Sequence, residues 1–169
     1  MKSQEECVFI GKYETTFIFK AEGRLTQKSL RNANAAIQKC TEDDTITDIL
    51  VDVTRCTYMD STILGILARW AISFAKTHLL HPFLIGLEGS PLESIFRRMN
   101  LTTLFQVSDH IQGVDPTLLS KLVFAQQYAA TEYAEHLLAA HQTLAELSPE
   151  NAKEFAAVIT CLKADLKAK

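Results

Sequence analysis

No run of apolar residues in this chain approaches the ~20 that a membrane helix needs, and the opening MKSQEECVFIGKYE lacks the apolar core of a secretion leader. A cytoplasmic protein is expected, with no membrane insertion. Basic charge is not in excess either. The 17 Lys and Arg against 20 Asp and Glu leave a net charge of −3, which gives no electrostatic reason for nucleic acid or an anionic surface as a partner. Cysteine is sparse: Cys7, Cys40, Cys56 and Cys161 have no CxxC spacing and are expected to be free, buried thiols. HExxH, a glycine-rich phosphate loop and a GxSxG elbow are all missing, so the commonest metalloprotease, nucleotide and hydrolase signatures are absent. His136 and His141 are five apart and share no helix face, and no internal repeat or low-complexity segment occurs.

What is present is an alternation of strand and helix patterns. At 169 residues and 47% apolar content, the chain can hold one domain with a full core and some additional structure. Residues 7–12 and 15–21 read as a β-hairpin whose second arm alternates strictly, with Gly23 ending it. Leu30, Ala33, Ile37 and Cys40 recur at helical spacing from about Thr26 to Cys40, and the polar TEDDT run at 41–45 is a loop. Ile49, Leu50, Val51 and Val53 form a short, β-branched strand of the kind covered on both faces. A helix runs from the Asp60-Ser61-Thr62 turn to about Thr77, and FLIGL at 83–87 is another buried strand. Ser90-Pro91-Leu92-Glu93 carries the marks of a helix start, with Leu92, Ile95, Phe96 and Met99 as its inner stripe. Leu104 to Val107 closes the series as a short strand.

From Asp115-Pro116 onward no strand signal is visible. Leu118, Leu122, Ala125, Ala129, Leu137, Ala140 and Leu144 mark one face of a long helix, and Ser148-Pro149 starts a second. The expected architecture is therefore a layered α/β domain over residues 1–113 and a helical hairpin over 114–169.

The turn at Asp60-Ser61 is the most informative point. Asp60 or Ser61 occupies the N-cap position, where a side-chain oxygen accepts from backbone N–H groups that otherwise lack a partner. A hydroxyl held there lies near the positive end of a helix dipole, a favourable place to carry a phosphate. Ser61 is the first candidate for modification and Thr62 the second. The plainer reading is that the pair only caps the helix.

The order of elements, with Gly23 and Leu25 before the first helix, Val51-Asp52-Val53 on the central strand, Met59-Asp60-Ser61-Thr62 at the helix start, Leu64-Gly65 in its first turns, and Met99-Asn100-Leu101 leading to Leu104-Phe105, resembles the STAS domain family. Its best-known members are bacterial anti-sigma factor antagonists, and the likeness spans roughly residues 6–113; it implies a STAS-like mixed β-sheet with helices packed mainly on one side. One position departs. The family usually has Gly two residues after the Ser, and here Ile63 stands there.

What the resemblance implies is a binding protein rather than an enzyme, with no cofactor. Its partner would be an anti-sigma factor with serine kinase activity, which phosphorylates Ser61 and so ends the complex; a phosphatase would reset it. Asp60, Ser61, Thr62, Ile63, Ile66 and Asp52 are the expected partner-binding residues. A phosphate adds about 1.5 to 2 negative charges and three acceptor oxygens, and beside Asp60 that charge would have to be desolvated against a partner. An alternative within the same family is a cytoplasmic accessory subunit of a membrane transport complex. A third reading is a small hydrolase or ligand-binding enzyme on an Asp52/Asp60 edge; that carboxylate pair lacks a third ligand, and no metal is expected.

The helix from Thr62 to Thr77 is apolar nearly all round, whereas packing on one side of a sheet needs a single stripe. Ile63, Ile66, Trp70 and Phe74 therefore call for a second cover. The candidates are the C-terminal hairpin, a second subunit in a homodimer formed through that hairpin, or the partner; the hairpin or a dimer is favoured, since an open patch with Trp and Phe invites aggregation.

Overall fold

The computed structural model describes residues 5–109, 114–123 and 128–168. Residue 113, the expected domain boundary, and Ala125 of the expected long helix lie outside the described residues. A six-stranded mixed sheet runs in the order β5-β4-β3-β2-β1-β6. β1 (Cys7–Tyr13) and β2 (Thr16–Leu25) form the expected hairpin, and β2 lies parallel to β3 (Asp48–Met59). β4 (Phe83–Ile85) and β5 (Gln106–Val107) continue in parallel beyond β3.

β2 does not stop at Gly23. Its register against β3 shifts between Gly23 and Arg24, and Gly23 takes φ 79°, a conformation open to glycine at little cost. The irregularity lets both strands run on, β3 as far as Met59, and so delivers the chain directly to the Asp60 turn. The expected final strand at 104–107 is shorter, because Leu101–Leu104 winds into a 3-10 turn. The region expected to begin a long helix at Leu118 instead contributes β6 (Leu119–Lys121), an edge strand antiparallel to β1. The sheet thus draws a strand from beyond residue 113. Three residues with two of them exposed carry too little apolar alternation to announce a strand.

Alternation along β2 and β3 separates two faces. Phe17, Phe19, Ala21, Ile49, Val51 and Val53 point into the main core beneath α1 (Leu30–Thr41), α2 (Ser61–His78) and α3 (Glu93–Arg98). The opposite face carries a small cluster of Ile18, Leu50 and Ile85, with Phe83, Val114 and Leu119 against it. Helices mainly on one side of a mixed sheet is the expected architecture. The C-terminal hairpin is also present as α4 (Ala130–Glu146) and α5 (Pro149–Lys167).

α2 is clasped between the sheet and the hairpin, which explains its apolar circumference. Ile63, Trp70 and Phe74 face the main core, and Trp70 meets Phe17 and Phe19 edge-on at 6.1 and 5.8 Å; such aromatic pairs contribute roughly 0.5–1.5 kcal/mol each beyond their burial. Ile66 turns the other way and joins Leu30 and Ala140 under α4. The second cover is therefore the hairpin, folded back in cis, and of the four side chains named for it only Ile66 needs it.

Candidate functional site

Three elements build the site: the end of β3, the first turn of α2 and the middle of α4. Asp60 settles which residue caps the helix. Its backbone is extended (φ −79°, ψ 170°), Oδ1 accepts from Ile63 N at 3.0 Å, and its carbonyl accepts from Leu64 N at 3.0 Å. The second carboxylate oxygen accepts from Gln27 N at 2.6 Å, and Asp60 N donates to Leu25 O at 3.1 Å. One carboxylate thus joins the start of α2 to the chain leaving β2, using charge-assisted bonds at the positive end of the helix.

Since Asp60 does the capping, Ser61 is the first residue of the helix and its hydroxyl has no capping role. The partner of Ser61 Oγ is remote in sequence: His141 Nε2, on α4, at 3.0 Å. His141 Nδ1 lies 2.7 Å from the Leu137 carbonyl, which can only accept, so Nδ1 carries the proton. In the neutral ring Nε2 is then the acceptor, and Ser61 donates to it. His141 is buried, with its ring 5.5 Å from Phe155 of α5. The sequence offered no local motif for His141; its role depends on a contact spanning 80 positions.

Ser61 and Asp60 are half-buried. Both line a pocket of about 310 Å3, open to solvent, whose walls include Tyr58 of β3, Arg98 of α3 and Glu154 of α5. Arg98 is paired with Glu154 at 2.6 Å. Tyr133 of α4 is near enough that Asp60 adds to the effect of burial, and together they raise its phenol above the usual range.

The other expected binding residues are placed differently. Thr62 and Ile63 are buried, Thr62 with 4% exposure, so neither reaches a partner in this conformation and Thr62 offers no accessible hydroxyl. Ile63, at the position where glycine is usual in the resembled family, is a core side chain. Ile66 is under α4. Asp52 is fully buried; Oδ1 accepts from Thr54 N and Oγ1, and Oδ2 lies 3.5 Å from Lys20 Nζ. At a rise of about 3.3 Å per residue, the eight steps along β3 from Asp52 to Asp60 span roughly 26 Å, so the two carboxylates share no pocket mouth. No group of three or more metal-ligating side chains occurs among the described residues. No helix of the described residues is long and apolar enough to cross a membrane. All four cysteines are free, but Cys161 on α5 is exposed, contrary to expectation.

Among known proteins, no family model and no curated protein matches the chain. Solved structures do. The unphosphorylated form of the anti-sigma factor antagonist SpoIIAA is similar at 16% identity with a TM-score of 0.46, over 59% of this chain and 84% of that one. The phosphorylated form of SpoIIAA, the Bacillus cell fate determinant, is similar at 16% identity and a TM-score of 0.47, over 60% of this chain and 90% of that one. At this distance the likeness concerns the fold alone.

Proposed function

We propose that the chain is a regulatory protein-binding module of the anti-sigma factor antagonist type, with Ser61 as its phosphoacceptor. The observation that carries the reading is the division of labour at the head of α2. Asp60 satisfies the helix start, which leaves the neighbouring hydroxyl without a structural duty there, half-exposed on an open pocket. A phosphate on Ser61 would lie at the positive end of the α2 dipole, on the same pocket as the Arg98 guanidinium that Glu154 now pairs, so the folded domain can carry it. Against a docked protein the same charge, next to Asp60, would have to be desolvated. A loss of about 3 kcal/mol at an interface lowers affinity by roughly a hundredfold. The chain itself acts as ligand and kinase substrate, not as catalyst. The partner is an anti-sigma factor with serine kinase activity, and a phosphatase reverses the modification.

The test is co-purification from the native cell, followed by incubation of the recovered ATPase with the pure chain and ATP and mapping of the phosphate by mass spectrometry. Phosphate at Ser61, absent from Ser61→Ala, is the expected result. Labelling confined to another residue, or recovery of an ATP-binding cassette subunit without kinase activity, refutes the proposal.

A further inference from the structure

A protein that docks over Ser61 must find the surface around it free, and here that surface is already taken by the chain's own C-terminus. α2 and α4 approach closely at Gly65, one turn after Ser61. A Cβ built on Gly65 would stand 2.3 Å from the Ala140 carbonyl oxygen and 2.9 Å from its Cα, so the backbones of α2 and α4 touch and nothing fits between them. One turn earlier Ser61 donates to His141, and beside Gly65 the side chain of Ile66 packs with Ala140 and Leu30. The far end of the hairpin is held independently. Asn151 Nδ2 donates to the Met99 and Leu144 carbonyls at 2.9 Å each, Asn100 Nδ2 donates to Leu147 O at 3.2 Å, and Phe155 enters the main core.

We propose that α4 and the face of a docking protein are alternative occupants of the first turns of α2, so that the hairpin is an intramolecular cover that must leave before a partner can engage Ser61. This rests on the reading of Ser61 as a partner-facing residue. The pocket beside Ser61 is open enough for a small reagent, but the footprint of a protein needs α4 displaced. Two residues fit the cover closely: glycine at 65, where any side chain would push α4 away, and a buried histidine at 141 aimed at the hydroxyl.

The experiment uses the full chain carrying Ser61→Cys, with Cys161→Ser to remove the exposed native thiol; Cys7, Cys40 and Cys56 are buried. The introduced thiol is titrated with iodoacetamide and, separately, with a maleimide bearing a long polyethylene glycol chain, each rate being expressed relative to that of the same reagent with free glutathione. Iodoacetamide should react through the pocket, and the polymer far more slowly. Adding Gly65→Ala, which forces one carbon against the Ala140 carbonyl, should raise the polymer rate by about tenfold or more while changing the iodoacetamide rate much less. Should Gly65→Ala disturb the sheet, Asn151→Ala loosens the hairpin from its other end without touching α2 and should act in the same direction. A polymer rate equal to the iodoacetamide rate in the starting chain, or unmoved by both substitutions, overturns the proposal. Neither outcome involves a kinase, so a failure here is distinct from failure of phosphate to appear at Ser61.

Discussion

Replacing Asp60 with alanine should cost far more than an ordinary surface substitution, and the geometry gives the amount. The carboxylate makes two separate bonds to backbone N–H groups, at 3.0 Å to Ile63 and 2.6 Å to Gln27. Loss of the cap alone costs about 1 kcal/mol. The bond to Gln27 N, from an ionised acceptor in a half-exposed setting, adds roughly 1–2 kcal/mol. Asp60→Ala should therefore destabilise by about 2–3 kcal/mol, which for a chain of this size lowers Tm by roughly 4–12 °C. Asp60→Asn keeps one carbonyl oxygen for Ile63 but turns an N–H donor toward Gln27 N, so it should fall between the alanine variant and the parent chain. Urea titration with circular dichroism measures all three. A loss under about 0.5 kcal/mol for Asp60→Ala would mean that the α2 start is held by something else, and the argument that Ser61 is released from capping would lose its basis.

Leu79 ends α2 in the left-handed region (φ 58°) with its side chain 88% exposed; Leu79→Gly should stabilise by about 0.5–1 kcal/mol, read by the same titration. Asp43 is held at about 2 by hydrogen bonds from Lys12 first and then Thr45. A carboxylate depressed on folding contributes stability that is complete above the unfolded value near ~3.9 and is lost as pH falls toward about 2. Carbon-detected NMR should show Asp43 titrating at about 2, and Lys12→Ala should move it up. Burial, reinforced by Asp43, pushes the Cys40 thiol up to about 12; at neutral pH iodoacetamide should modify Cys161 and leave Cys40 unreacted in the folded chain, as peptide mapping can verify.

The strands and helices of residues 7–107 were largely legible because each has its own period: the alternation of β2, the β-branched run of β3, the apolar stripe of α1. Boundaries failed where a neighbour overrode local signal. Gly23 looks like a break in isolation, and only its parallel partner β3 makes it a bulge within a continuing strand. β6 is legible only from β1, which pairs with it. At the site, sequence could place Asp60 and Ser61 side by side but not decide between them, since both are good caps; the bond from Ile63 N to the Asp60 carboxylate decides it. His141 was beyond reach, because the helix carrying it looks like any amphipathic helix until α2 is laid against it. The even distribution of apolar residues around α2 did signal a second cover, and that cover is α4.

β6 fastens to the edge of the sheet at β1, and the chain runs from Lys121 to Ala130 before the hairpin begins. An α4 that lifts away therefore stays on a short leash, at a local concentration on the order of millimolar. Whatever competes for its berth contends with a rival that dilution cannot remove. Hydrolysis of a single peptide bond between Lys121 and Ala130 would change the order of that contest, making occupancy depend on how much protein is in the tube.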